Sequence, residues 1–326
     1  MTEHKAERAP WADFPAVVRN GDLKDVSKEP EYEAAKHGDH KAMSFKRMKP
    51  AEDELHCEIK ALLDRAKATD DQERNEPELD IPAEISRREK RLEAIQAAKA
   101  RLEARQREAD LARGRSEDDG RRPHHPDGSD KGGGSYNREF GVPDDRDQES
   151  FTDPDSRIMK HAGGGSEQSY NAYTAVDAEH QIIVAAEMTN SAADSQALLG
   201  MLAAVQANTG ELPAETLADA AFRSEAVLAK VADHHGDVIV ALGRDGREDA
   251  KVNAMTHPHT AAIAAKLITE QGDAAYRRRK SIVEAPNGCI KAVMGLRQFS
   301  MRGLDMVQAE WKLVCMALNL SRIAYL

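Results

Sequence analysis

The sequence predicts an α/β protein in which a mixed sheet is flanked by helices, with a long helical hairpin and a linker placed ahead of it. Three observations carry this reading. From residue 151 to residue 326, short apolar runs alternate with segments of helical period. Residues 40–113 hold two charged stretches with apolar side chains at helical intervals. Residues 114–150 are dominated by Gly, Pro, Asp and Ser and offer no apolar face to bury.

Taken in order, residues 1–39 show no clear periodicity, and Pro10, Pro15 and Pro30 predict a poorly ordered lead-in. At Pro50 the pattern changes to that of a helix start, followed by Glu52, Asp53 and Glu54, which suit the positive end of a helix. Leu55, Ile59, Leu62 and Leu63 continue it, and Ile85, Leu92, Ile95 and Leu102 mark a second helix. The short polar break between them predicts an antiparallel hairpin, a spacer by default, across 40–113. Residues 114–150 read as a disordered linker. In the core at 151–326, Tyr170–Val176 and Gln181–Met188 read as a strand hairpin turning at Asp177–Glu179. Leu198, Leu199, Leu202 and Val205 give a helix ended by Gly210. Thr216–Ala218 and Asp237–Leu242 are further strands, separated by a helix with Val227, Leu228 and Val231 inward. Two helices follow near 260–271 and 276–296. A terminal helix puts Val307, Trp311, Val314, Leu318 and Tyr325 on one stripe.

Composition narrows the function. The chain has 326 residues, 32% of them charged and only 4% aromatic, with mean hydropathy -0.66. No apolar run approaches the roughly 18–20 residues of a membrane span, and the polar start MTEHKAERAPW lacks a signal-peptide core. A cytoplasmic location is the default expectation. Cys57, Cys289 and Cys315 are scattered and odd in number, which points away from a disulfide framework or a cysteine zinc site. The net charge of -11 argues against indiscriminate nucleic-acid binding, while leaving room for a local basic face.

Such a face exists. Tyr276–Arg302 carries seven Lys and Arg residues against one acid, Glu284, a local charge of +6. A lone carboxylate in that field stays ionised, and a carboxylate among cations can hold a divalent metal beside a phosphodiester. Glu284 and Lys291 are seven residues apart, two helical turns along one side. A charge run alone is more often a solvated helix face. The other candidate is Asp219, which ends the apolar run Thr216-Leu217-Ala218 at the carboxyl end of a strand, where open α/β sheets place ligands. On its own, such an acid serves equally as a helix cap.

The phrases YRRRK-SIVE, IK, GLRQFSMRGLDMVQAEW and NL together resemble the C-terminal signature of bacterial insertion-sequence transposases of the DDE type. HKAMSFKRM, TDPDSRIMK, YNAYTAVD, HQIIVAAEMTN and LADAAFRSE resemble further segments of that family, in the expected order. The resemblance implies a ribonuclease-H-like core with a helical insertion after its first strand. It implies two magnesium ions held by three carboxylates, with Asp219 the second and Glu284 the third. Tyr276, Arg277, Arg278, Arg279, Lys280 and Lys291 would engage DNA. The implied partners are double-stranded DNA bearing transposon terminal inverted repeats, and a second copy or a full-length transposase. The implied reaction is metal-dependent strand cleavage and transfer. Relatives carry the first acid in an Asp-Gly-Thr phrase about ten residues before the HKAMS-like phrase. Here that place reads KEPEYEAAKHGD, with Glu29 at the matching position and no apolar strand ahead of it. The expectation is therefore a truncated copy lacking its first catalytic strand, with impaired activity. The alternative is a non-catalytic remnant that binds DNA or a protein partner.

Overall fold

The computed structural model describes residues 16–24, 42–70, 80–122, 129, 134–160, 166–191, 196–234, 237–242 and 252–325. They fall into two compact units. One joins an N-terminal strand to everything from Met159 onward; the other spans Ser27–Ile158.

The elements, in chain order, are β1 (Ala16–Lys24), β2 (Ala42–Ser44), α1 (Phe45–Asp70), α2 (Ile81–Ala112), β3 (Gln148–Ser150), β4 (Arg157–Lys160), β5 (Ser166–Asp177) and β6 (Ile183–Thr189). After them come α3 (Ala197–Thr209), β7 (Glu215–Ala218), α4 (Glu225–His234), β8 (Asp237–Val240), α5 (Pro258–Leu267), α6 (Glu270–Gly288) and α7 (Leu304–Ile323). A 3-10 turn at Ala220–Phe222 follows β7, and a π-helical stretch at Cys289–Val293 follows α6.

The main sheet has six strands in the order β4-β5-β1-β7-β8, with β6 also paired to β5. β5 runs antiparallel to both β6 and β1. β1, β7 and β8 run parallel, with Val18 opposite Ala218 and Ala218 opposite Val240. β5 is buried at every residue from Ser169 to Asp177, so apolar side chains cover both of its faces. Two of its buried polar residues find local partners. Asn171 donates to the Ser191 carbonyl at 2.7 Å, and Asp177 accepts the His180 backbone N–H at 2.6 Å, which fixes the turn into β6.

α7 closes the outer edge of β6 with side-chain amides. The Gln308 amide accepts from Met188 N at 2.5 Å and donates to Ala186 O at 3.1 Å. The Asn319 amide accepts from Ile183 N at 2.9 Å and donates to Ile183 O at 2.8 Å. These two residues are three helical turns apart, about 16 Å at 1.5 Å per residue. The matching stretch of β6 covers about the same length at 3.3 Å per residue. The helix thereby replaces a missing strand partner. Trp311, on the same side of α7, is buried and donates its indole N–H to Tyr173 O at 3.3 Å.

The second unit is built on α1 and α2. Glu52 pairs with Lys99 and Glu58 with Arg88, so the helices run antiparallel. Met43, Met48, Leu55, Ile95, Ala98 and Leu102 form its core. β2 and β3 pair at its base, with Ala42 opposite Ser150. Glu149 is fully buried there, and it accepts from Arg101 at 2.8 Å and also from Arg105.

Four expectations need correction. The lead-in at 1–39 contains β1, the central strand of the main sheet, so a strand does precede the HKAMSFKRM phrase. Its apolar content is little more than Ala16-Val17-Val18, and backbone pairing on both edges supplies what side-chain pattern does not. The described part of the 114–150 segment is ordered rather than a bare linker. Arg115, buried, donates to Asp119 at 2.7 Å, to Asp110 at 3.2 Å and to Arg138 O at 3.1 Å, under the Tyr136 ring. The hydrogen bond to Asp119 leads the effects that raise the Arg115 pKa, ahead of the opposing cost of burial. A buried ion cluster here takes the place of an apolar core. Pro50 lies inside α1, which begins at Phe45. Tyr325 lies past the end of α7 and is 90% exposed.

Two expectations about stability follow. Glu149→Ala leaves Arg101 and Arg105 without their shared carboxylate, and urea unfolding followed by circular dichroism should show a loss of about 2–3 kcal/mol. A loss below about 0.5 kcal/mol would mean solvent replaces the contact. Glu225 caps α5, accepting from His259 N at 2.7 Å and from the Thr260 hydroxyl at 2.6 Å. Burial works to raise its pKa, but the Thr260 and His259 hydrogen bonds outweigh this and hold it below the ordinary 4.5. The ionised form is thus favoured by folding. Its stabilisation is complete above pH 4.5 and fades as pH falls through the lowered value. Glu225→Gln should cost about 1 kcal/mol at pH 7, and melting curves of variant and wild type should converge in acid.

Candidate active site and nucleic-acid surface

β7 ends at Ala218, and Asp219 leaves the sheet in extended conformation to cap the 3-10 turn, accepting from Ala220 N at 3.1 Å. Phe222, fully buried, draws that turn into the core against Tyr173. The Asp219 carboxylate is thereby held at the sheet's carboxyl end with its side chain 48% exposed.

α6 packs against β1, β5 and β7. Its N-terminus is capped by Thr269, which accepts from Gly272 N at 3.1 Å. A Cβ at Gly272 would stand 2.2 Å from Lys266 O, so only glycine allows α5 and α6 to join this closely. The inward face of α6 runs through Gly272, Arg279, Ile282, Val283, Pro286 and Asn287. Arg279 therefore occupies a core-facing position. It is 8% exposed, and its Nη1 donates to Asp219 Oδ1 at 2.6 Å and to Ala218 O at 3.3 Å. The Tyr276 ring lies 4.8 Å from the Arg279 guanidinium carbon, a cation–π contact on the same helix.

The other predicted residues are placed differently. Arg277 is exposed and pairs with Asp273 at 2.9 Å. Arg278 is exposed, and its charge partly offsets the rise in the Glu215 pKa that burial and then Asp237 impose. The Lys280 side chain lies outside the described residues, as does Glu29. Glu284 is on the exposed side of α6. Lys291 is half-buried in the π-helical stretch, where Met294 N bonds to Cys289 O at 2.9 Å. That i→i+5 turn breaks the simple two-turn relation of Glu284 to Lys291. Val293, in the same stretch, is 79% exposed, whereas Ile282 and Ile290 are buried.

The Arg279–Asp219 pair is the feature that sequence reasoning missed. Its signal was available: Gly272, Tyr276, Arg279, Val283, Pro286 and Ile290 follow one another at intervals of four and three, the period of a buried face. The structure thus separates the basic run into an inward guanidinium bound to the acid and two outward ones. Among the described residues no group of three or more His, Cys, Asp or Glu side chains could hold a metal ion. No described helix is long and apolar enough to cross a membrane.

Comparison with known proteins identifies the lineage. A local stretch of 38 residues is 68% identical to Protein TraN of Escherichia coli, and it covers 12% of this chain and 8% of that protein. The chain thus matches only a small fraction of this curated relative. No solved structure matches. The family model described as Transposase DDE domain matches residues 138–320, more than half of the chain and the whole run from β3 to the last turn of α7. The chain belongs to the family of transposase DDE domains.

Proposed function

We propose that this protein is an insertion-sequence transposase domain that grips duplex DNA at transposon ends through α6 and is impaired in cutting it. The observation that carries the reading is the placement of α6. It packs against the sheet beside β7, so the strand-end acid Asp219 and the outward Arg277 and Arg278 belong to adjoining elements. The strand order, antiparallel across β6, β5 and β1 and parallel across β1, β7 and β8, supports a ribonuclease-H-like core.

Transposases of this family use divalent metal ions. The described donor set does not fit a two-ion site: Asp219 and Glu284 are two carboxylates, and one is already neutralised by Arg279 at 2.6 Å. The backbone register supports the same view. Val18 pairs with Ala218, so Arg19 follows at the level of Asp219, with Asn20 next and Asp22 three residues beyond Arg19. At about 3.3 Å per residue, Asp22 is some 10 Å farther along the strand. Where relatives carry an acid in their first core strand, this strand carries Arg-Asn at the level of the second acid.

In this arrangement Asp219 holds Arg279 and thereby fixes α6 on the sheet. Arg277 and Arg278 then present two cations to the phosphate backbone, which positions DNA without reading its sequence. A second reading, a DNA-binding remnant without chemistry, rests on the same register and differs only in residual cutting.

Two measurements test this. Strand nicking of a duplex bearing the transposon ends should be negligible with magnesium or manganese. Placing Asp at position 19 or 20 should raise it. Robust nicking by the unaltered chain, abolished by Asp219→Ala, would overturn the impairment. In DNA binding, the Arg277→Ala/Arg278→Ala double variant should lower the slope of log affinity against log salt by about 2, since each phosphate no longer neutralised reduces it by roughly 0.9. An unchanged slope would move the DNA surface off α6.

A further inference from the structure

Residues 142–147 bridge two pinned points in the hairpin unit. The first is the Arg115 cluster, where the Arg115, Asp110 and Asp119 side chains are only 5%, 1% and 6% exposed. Arg115 also holds the Arg138 carbonyl, and Asp110 accepts from Gly141 N at 2.9 Å. Gly141, at φ +73°, is the hinge at which the chain leaves this cluster. The second pinned point is β3, paired with β2 and anchored by the buried Glu149. The flap between them lies on the start of α1. Asp147 O accepts from Phe45 N at 2.9 Å, and Asp145 O accepts from Lys46 N at 3.4 Å.

The flap is held by looser forces than its ends. α1 has no acid in its first turn and begins with the exposed cations Lys46, Arg47 and Lys49, which the positive end of a helix disfavours. The flap supplies negative charge there, with Asp144, Asp145 and Asp147 against one cation, Arg146. Arg138 stands 3.7 Å from Asp144 and 3.9 Å from Asp147. Both distances are too long for a hydrogen bond, and Arg138 Nη1 has no hydrogen-bond partner among the described residues. These three side chains are 34%, 51% and 45% exposed. Salt therefore acts differently on flap and cluster. The Debye length falls to about 3 Å at 1 M salt, shorter than either Arg138 contact, whereas buried pairs such as Arg115–Asp119 are screened far less. Repulsion between Asp144 and Asp147 does not oppose this, because they stay three residues apart whether the flap is closed or open.

We infer that residues 142–147 are a salt-operated latch on the first turn of α1, which opens while the Arg115 cluster stays closed. Opening removes the acceptors of Phe45 N and Lys46 N, so the helix frays from that end. The inference does not rest on the transposase reading. The test is hydrogen exchange of the full chain at peptide resolution, in about 0.05 M and 1 M sodium chloride, the two conditions at which the Debye length differs most usefully. Protection of residues 45–49 and 142–147 should fall about fivefold in high salt, the scale of one or two part-exposed ion pairs. Protection of residues 115–122 should hold. Arg138→Gln leaves the backbone bond to Arg115 in place. It should lower protection of 45–49 already in low salt and remove most of the salt response, with the circular dichroism spectrum unchanged. Three results overturn the inference: no salt response at 45–49, an equal response at 115–122, or a full salt response that survives Arg138→Gln.

Discussion

Nine consecutive buried residues in β5 set the terms for the rest of the main unit. A strand buried on both faces needs a hydrogen-bonded neighbour on each edge and an apolar cover above and below. β1 supplies one edge along its full nine residues, and β6 with β4 supplies the other. Because β1 is thus held at the centre, β7 can add to it in parallel, and the end of β7 is where Asp219 emerges. The position of the candidate site is therefore a downstream consequence of how β5 is satisfied. The amide ladder from α7 to β6 belongs to the same account. Without it the backbone of β6 would end the sheet with open donors and acceptors, an invitation to pair with another chain.

Some of this was legible in the residues and some was not, for identifiable reasons. β5, β6, β7 and β8 have apolar runs bounded by turn residues, and the pattern locates them. β1 does not announce itself, because a central strand can be specified by its neighbours' unpaired edges rather than by its own side chains. The 114–150 segment misleads in the opposite sense. Arg115, Asp110 and Asp119 read as solvated charge in a string of letters, and only their convergence makes them a buried cluster. Arg279 is a third kind of case. Composition assigns it to the cationic run with Arg277 and Arg278, whereas helical period assigns it to the core, and period decides.

The Arg279–Asp219 contact carries opposed consequences for binding and for chemistry. An ion pair with one partner nearly buried and the other half-exposed ties a helix to a strand end with directional hydrogen bonds. The same contact offsets the negative charge that a cation at Asp219 would need.

The insertion of the hairpin unit between β1 and β5 bears on how the chain folds during synthesis. Lys24 and Ser166 end and begin adjacent strands, yet they stand 142 positions apart in sequence. At roughly 5–20 residues per second, the first strand waits on the order of ten seconds or more for its neighbour to be made. Pairing of Ala42 with Ser150 within the hairpin unit shortens the span that must close to 18 residues before the pair and 16 after it. By the logarithmic cost of loop closure this lowers the entropy penalty of joining β1 to β5 by about 1 kcal/mol. Once that pair has formed, two strands that the sequence keeps far apart are separated by a much shorter effective loop.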